Sequence, residues 1–131
     1  MNILSFIKDH LIINPKIKEY VGDRIRAFEY PETEDATQPF IIIEPVTVPS
    51  LVAGASNSYL AESHQIDIHV QGHAYDIVKE IQEEIRITMW SIGFKQLSNG
   101  LDEYFKETKR FVDVRSYEGI PINTYYKKTL L

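Results

Sequence analysis

Acidic and imidazole side chains concentrate in one short stretch of the sequence, HQIDIHVQGHAYDIV, which spans residues 64–78. This stretch holds three of the four histidines of the chain. Asp67 and His69 stand two positions apart on a predicted strand and so share one face, while His73 follows and can curl back towards them. Two imidazole nitrogens and a carboxylate are an accepted ligand set for zinc or iron. A small metal-dependent hydrolase using Asp67, His69 and His73 is therefore one hypothesis.

A simpler interpretation makes the same stretch a strand that leads into a helix. Alternation along residues 59–72 separates the side chains into two faces. The apolar face carries His64, Ile66, Ile68 and Val70. The opposite face carries Gln65, Asp67, His69 and Gln71. Since the sequence offers no fourth ligand and no partners to orient the ligands, we predict that this polar face meets solvent or a neighbouring subunit and that the chain binds no metal or other cofactor.

Other signatures of catalysis are weak or missing in the sequence. The chain has no cysteine, which excludes disulfides, thiolate zinc sites and cysteine nucleophiles. There is no G-x-S-x-G elbow, and the AGAS stretch lacks the G-K-[ST] ending of a phosphate-binding loop. Acidic pairs at residues 83–84 and 102–103 fall on a predicted helix face and in a predicted loop, where such pairs are usually solvated. These motifs give no support to an enzyme.

Length and charge indicate one small acidic domain. The chain has 131 residues, of which 44% are hydrophobic and 25% are charged, the usual composition of a globular domain. Its formal net charge is −5 and it contains no basic run, so specific binding to nucleic acid is not expected. No apolar stretch approaches the length that spans a bilayer. We predict a single domain over residues 1–131 with no membrane partner.

Three helical segments are predicted. Asn2 is a suitable N-cap for the first. Pro15 can open a second short helix that Gly22 closes. The longest helix is predicted over residues 73–93, because apolar residues recur there at steps of three and four. Its apolar stripe contains Ile77, Val78, Ile81, Ile85, Met89 and Ile92, with Trp90 thickening the end of the stripe.

Five strands are predicted, separated by polar loops. The strands cover residues 23–30, 40–48, 59–72, 94–97 and 111–119, and the loops cover residues 31–39, 49–58 and 98–110. The fold class is α+β, a mainly antiparallel sheet of about five strands with the long helix and the short N-terminal helices packed on it. The domain then divides into a helical segment (1–22), a core of sheet and helix (23–119) and a C-terminal strand or tail (120–131).

Apolar and aromatic residues in the predicted loops are candidates for contacts with other proteins. Leu51 and Val52 stand in a loop of small residues, where they either pack locally or dock on a partner. Aromatic residues are enriched at the cores of protein interfaces. The candidate interaction residues are Leu51, Val52, Ser56, Asn57, Tyr104 and Phe105.

Four stretches of the sequence together resemble a family of phage assembly proteins. The stretches are INPKIKEYVGDRIRAFEYP, QPFIIIEPV, ESHQIDIHVQGHAYDIVKEIQEEI, and FKQL followed by RFVDVRSYEG. In their order and spacing they are similar to the tail terminator or tail-completion proteins of long-tailed bacteriophages. More loosely, they resemble minor head–tail joining proteins of phages that infect Gram-positive hosts. The resemblance covers most of residues 14–119.

The resemblance implies a structural role and no enzymatic activity. Proteins of this family form a homo-oligomeric ring, typically a hexamer, at the head-proximal end of the tail tube. The expected partners are the tail tube protein and a head completion or connector protein, and the expected location is the head–tail junction of the virion, after synthesis in the cytoplasm of the bacterial host. On this basis the loops at residues 31–38, 49–58 and 98–109 would make the contacts. The metal-dependent hydrolase and another assembly module of a prophage remain alternatives.

Overall fold

The fold is described by a computed structural model that covers residues 2–32, 35–53 and 60–121. Within these ranges the helices are α1 (Ile3–Ile12), α2 (Pro15–Val21) and α3 (Tyr75–Ser91). The strands are β1 (Ile25–Ala27), β2 (Phe40–Pro45), β3 (Ser50–Ala53), β4 (Leu60–Gly72), β5 (Phe94–Phe105) and β6 (Arg110–Gly119). The predicted α+β class is confirmed. None of the helices in the described ranges is long and apolar enough to cross a membrane.

Short polar residues start the two N-terminal helices, as predicted. The Asn2 side chain accepts hydrogen bonds from the backbone N–H groups of Leu4 and Ser5, which satisfies two donors that the helix itself leaves unpaired. Asn14 caps α2 in the same way, with Pro15 at its first position. Gly22 ends α2 with a φ of 61°, a left-handed conformation that favours glycine. The local sequence therefore determines where these helices begin and end.

The long helix α3 packs one face on the sheet. Its buried residues are Val78, Ile81, Gln82, Ile85 and Met89. Trp90 departs from the prediction, because its side chain is largely exposed instead of extending the apolar stripe. It follows Met89 by one residue, a rotation of about 100° around the helix axis that carries it away from the sheet. At the other end His73 precedes the helix and its Nδ1 donates to the backbone oxygen of Lys109 at 2.8 Å.

The main sheet has the strand order β1-β2-β4-β6-β5. β1 and β2 run parallel, and the other pairs are antiparallel. Central strand β4 pairs over residues 64–72 with β6 and over residues 66–71 with β2. Its first residues, Leu60 to Ser63, pair instead with β3. β3 and the start of β4 therefore form a hairpin that extends beyond the main sheet.

All three helices contribute to one core on the same face of the sheet. From β4 the core receives Ile66, Ile68 and Val70, as the alternation predicts. The other core residues are Ile7, Leu11, Ile17, Val21, Ile25, Ile41, Ile43, Val78, Ile81, Ile85, Met89, Ile92, Phe94 and Tyr117. The opposite face of the sheet carries none of the described helices.

Strand β5 is the main correction to the predicted fold. The sequence predicts a short strand at 94–97 and a polar connector at 98–110, but β5 continues to Phe105 and only residues 106–109 form a turn. A bulge between Gln96 and Gly100 interrupts its register with β6. β5 is an edge strand that is exposed over most of its length, so it lacks the alternation that identifies a strand in sequence. Hydrogen bonds to β6 hold these residues in an extended conformation that their local sequence does not favour.

The other boundaries differ by a few residues. β1 is shorter than predicted and ends before Phe28, which has a φ of 69°. β2 ends at Pro45, whereas its pairing with β1 ends at Ile43. The position where proline lacks an N–H therefore faces the side of β2 that β1 does not cover. β3 lies within the predicted loop 49–58. Of the predicted C-terminal strand or tail, residues 122–131 lie outside the described part of the chain.

Candidate functional site

The polar face predicted for β4 lies on the side of the sheet away from the helices. Gln65, Asp67, His69 and Gln71 alternate with the buried apolar residues of the same strand and are each half-buried. Antiparallel pairing places neighbours of the adjacent strands opposite them on the same face. We call this the open face of the sheet. That it forms a contact between subunits stays a prediction.

A row of hydrogen bonds crosses four strands on the open face. His69 Nε2 on β4 donates to Glu44 Oε1 on β2 at 2.8 Å. Ser116 on β6 donates to Asp67, and Asn99 on β5 donates to the Ser116 hydroxyl at 3.1 Å. The bonds form two groups, one of Glu44 with His69 and one of Asp67 with Ser116 and Asn99, and they orient these five side chains.

Glu44, Asp67 and His69 form a group that could hold a metal ion, with ligand atoms within 4.8 Å of one another. Two of these residues were predicted from sequence, but His73 is not among them, because it lies exposed and bonded to the Lys109 carbonyl. Glu44 takes its place because β2 pairs with β4 and sets Glu44 opposite Asp67. The alternation of FIIIEPV was the available signal, since it puts Ile42 and Glu44 on one face.

Apolar side chains fill the remainder of the open face. Phe40, Ile42, Val112 and Val114 are each less than 10% exposed, although no described helix covers them. Tyr30 stacks on Phe40 with ring centroids 3.9 Å apart, and the Arg110 guanidinium lies 5.5 Å from the Phe40 ring centroid. Between the segment after β1 and this face lies a pocket of about 560 Å³, whose lining includes Tyr30, Phe40, Ile42, His69 and Arg110. The face therefore combines packed apolar side chains with a concave site beside His69, a shape that can hold a ligand or part of a partner protein.

One end of the sheet carries the β3–β4 hairpin. Val46, Val48 and Leu51 are exposed apolar residues at its base and along β3. Val52 also belongs to β3, while the predicted interaction residues Ser56 and Asn57 lie outside the described ranges. We call Val46, Val48 and Leu51 the first end patch. Three exposed apolar side chains within residues 46–51 make this end of the sheet a candidate for contact with a partner.

The opposite end of the sheet carries the turn between β5 and β6. Tyr104 and Phe105, predicted to lie in a loop, are instead the last residues of β5 and are partly exposed. The Tyr104 ring lies 4.7 Å from that of Phe111, which in turn meets Tyr75 at 5.5 Å. We call Tyr75 and Tyr104 the second end patch, since Phe105, the next residue of the strand, points to the opposite face of the sheet. The rings of Tyr75 and Tyr104 both pack against Phe111, which lowers the conformational entropy that they lose when a partner binds.

A search of solved structures finds the same fold in a virus-like particle. The matching chain comes from a structure titled "Virion of native gene transfer agent (GTA) particle", with a TM-score of 0.66 and 8% sequence identity. The alignment covers 91% of this chain and 93% of that chain. At this identity the likeness shows the fold alone. No protein-family model matches the sequence, and neither does any curated protein.

A charged group on the helix side of the sheet has a structural role. Lys79 on α3 donates to Asp102 on β5 and, at 2.7 Å, to Asp113 on β6. Arg115 Nε donates to the Asp113 carboxylate at 3.1 Å, and Gln82 donates to the Asp113 carbonyl at 2.8 Å. Asp113 is almost fully buried, so its charge is tolerated because two cations face it.

The electrostatics of Lys79 agree with this role. Partial burial by itself lowers the pKa of Lys79, but hydrogen bonds and charge from Asp102 and Asp113 outweigh burial and raise the pKa above its ordinary value of 10.5. A lysine that acts as a base needs a lowered pKa. Lys79 therefore joins α3 to β5 and β6 as a charged lysine.

Proposed function

We propose that the chain is a structural protein of a phage-like particle, which caps the tail tube as a ring and forms the surface that joins it to the head. The observation that carries the proposal is the fold shared with a chain of a gene transfer agent virion over more than nine-tenths of both chains. The order of the four sequence stretches, which resembles tail terminators, supports the same proposal independently.

The positions of the two end patches fit a protein that joins two assemblies. In the register of the sheet, His64 pairs with Gly119 near the first end patch, while Gly72 pairs with Phe111 near the second. The patches therefore lie at opposite ends of β4. A terminator needs two such surfaces, one for the tail tube and one for the head completion protein. We assign one end patch to each partner.

The open face and the sheet edges are suited to contacts between neighbouring subunits. A head-to-tail ring requires two different complementary patches on every subunit. We propose that the half-buried polar residues of β4 form one of them, because hydrogen bonds orient Asp67 and His69 in a pattern that a partner can match. The ring would be a hexamer, as the family resemblance implies. The acidic net charge of −5 also suits a ring through which DNA slides without electrostatic retention.

Deleting the gene for this chain from the genome that encodes the particle tests this proposal. We expect tails of irregular and excessive length that carry no head, because nothing stops growth of the tube or supplies the docking surface. Negative-stain electron microscopy of purified particles measures tail length and head attachment directly. Supplying the wild-type gene in trans should restore both. Tails of normal length with attached heads in the deletion strain would refute the proposal.

A metal-dependent hydrolase remains the second candidate, because Glu44, Asp67 and His69 lie together. The structural proposal predicts substoichiometric zinc and iron in the purified protein, at the same level in wild type and in His69→Ala. Elemental analysis by mass spectrometry after purification without a metal-affinity step measures this. Stoichiometric metal that is lost in His69→Ala but kept in His73→Ala would instead favour the enzyme, since only His69 belongs to the group.

A further inference from the structure

The pocket of about 560 Å³ beside His69 lies where the segment after β1 meets the open face. Part of its lining is apolar. The ring of Tyr30 stacks on that of Phe40 there, and Ile42 lies two residues from Phe40 on the same face of β2. His69 and Gln71 contribute polar groups from β4. A concave site of this size, with an apolar lining and a few polar groups, has the usual form of a site for a small ligand.

Arg110 is the only arginine or lysine among the described residues that line this pocket. Its Nη2 donates to the Ala36 carbonyl at 3.2 Å, while its Nε is buried and has no acceptor in the described part of the chain. None of the described carboxylates forms an ion pair with it. A buried donor without an acceptor and a half-buried cation without a counter-charge both cost free energy, which an incoming anion recovers.

The charges and the apolar lining of the pocket favour an anion with a single charge. Glu29 and Glu32 also line the pocket, but both are exposed, and water and salt screen exposed carboxylates. They therefore weaken the attraction of Arg110 for a monoanion without cancelling it. The second charge of a phosphate would face no further cation and would lose water beside apolar side chains. A carboxylate, in contrast, matches the planar guanidinium with two parallel hydrogen bonds.

We propose that the pocket binds a carboxylate carried on an apolar group. The carboxylate accepts hydrogen bonds from the guanidinium of Arg110, and the apolar group lies against the apolar side chains that line the pocket. A free organic acid and an acidic side chain of a partner protein share this chemistry. The site is argued from the pocket alone, so tails of normal length in the deletion strain would refute the role in tails and leave the site standing.

Titration of isotope-labelled protein with hydrocinnamate, a carboxylate on a phenylethyl group, tests the site by two-dimensional NMR. We expect shifts at the backbone amides of Phe28, Gln71 and Arg110, with a dissociation constant on the order of millimolar for a ligand of this size. Hydrocinnamamide, which has the same shape without the charge, should bind about tenfold more weakly, because hydrogen bonds to charged groups are the stronger ones. Inorganic phosphate should leave the three amides unshifted.

Substitutions of Arg110 separate its charge from its shape. Arg110→Met removes the charge and should weaken hydrocinnamate binding about tenfold, while Arg110→Lys keeps the charge without the planar fork and should weaken it less. Arg86→Met is the matched control, because Arg86 pairs with Glu83 on α3, on the other side of the sheet, and it should bind like wild type. Equal binding of acid and amide by the wild-type protein would overturn the proposal, and this comparison needs no variant to fold. Equal binding of the acid by wild type and a folded Arg110→Met protein would overturn it too.

A pair of peptides distinguishes the two sources of the carboxylate. One tripeptide has aspartate between two phenylalanines, and its control has asparagine in place of the aspartate. Tighter binding of the aspartate peptide than of hydrocinnamate, together with loss of binding in the asparagine peptide, supports an acidic segment of a partner protein. Tighter binding of hydrocinnamate supports a free organic acid. Either order retains Arg110 as the residue that receives the carboxylate.

Discussion

Replacing Gly119 with alanine is expected to lower the free energy of unfolding by about 3 kcal/mol, near the upper end of what overpacking costs. A Cβ atom at Gly119 would lie 2.1 Å from the backbone oxygen of Gly93 and 2.7 Å from the Cα of Phe94. Both contacts are with backbone, so no side chain can rotate away to relieve them. The end of β6 must separate from the start of β5, and that separation breaks the pairing of Phe94 with Gly119.

Urea denaturation followed by far-UV circular dichroism measures this effect. Gly72→Ala is a graded control, because the added Cβ would meet the Val78 side chain at 3.2 Å, and a side chain can adjust. The control should therefore cost less than Gly119→Ala. Unfolding midpoints that are equal for Gly119→Ala and wild type would contradict the close approach of β5 and β6 at this position.

Aspartate substitutions in the two end patches are expected to abolish particle assembly in two different ways. Leu51→Asp places a charge in the first end patch, and Tyr104→Asp places one in the second. A charge in the apolar centre of an interface must be desolvated on binding, which costs several kcal/mol when no partner charge faces it. If each end patch meets a different partner, one variant should give overlong tails and the other should give tails of normal length without heads.

Complementation of the deletion strain, scored by electron microscopy, distinguishes these outcomes. Ser5→Asp is the control, because it adds the same residue to the exposed first turn of α1, where the helix dipole favours a negative charge. It should complement fully. Melting temperatures of all three purified variants confirm that they fold. An identical defect for Leu51→Asp and Tyr104→Asp would show that the two ends do not serve different partners.

The elements that depend on local sequence were predicted well. Asn2 begins a helix because its side chain accepts hydrogen bonds from the first backbone N–H groups. Gly22 ends a helix because glycine adopts the left-handed conformation without strain. The alternation of β4 was predicted because one of its faces is fully buried, and a buried face requires apolar residues at every second position. Glu44, in contrast, joined Asp67 and His69 through a pairing between residues that lie 23 and 25 positions apart along the chain.

The sequence by itself determined the fold class, the helix boundaries and the polar face of β4, because each depends on residues that are close in sequence. Only the tertiary structure decided that residues 98–105 form a strand, that Lys79 reaches Asp113, and that Trp90 remains exposed. These features depend on which distant segments become neighbours. An edge strand acquires its order from its partner, and an ion pair forms only where the packing of α3 on the sheet brings opposite charges together.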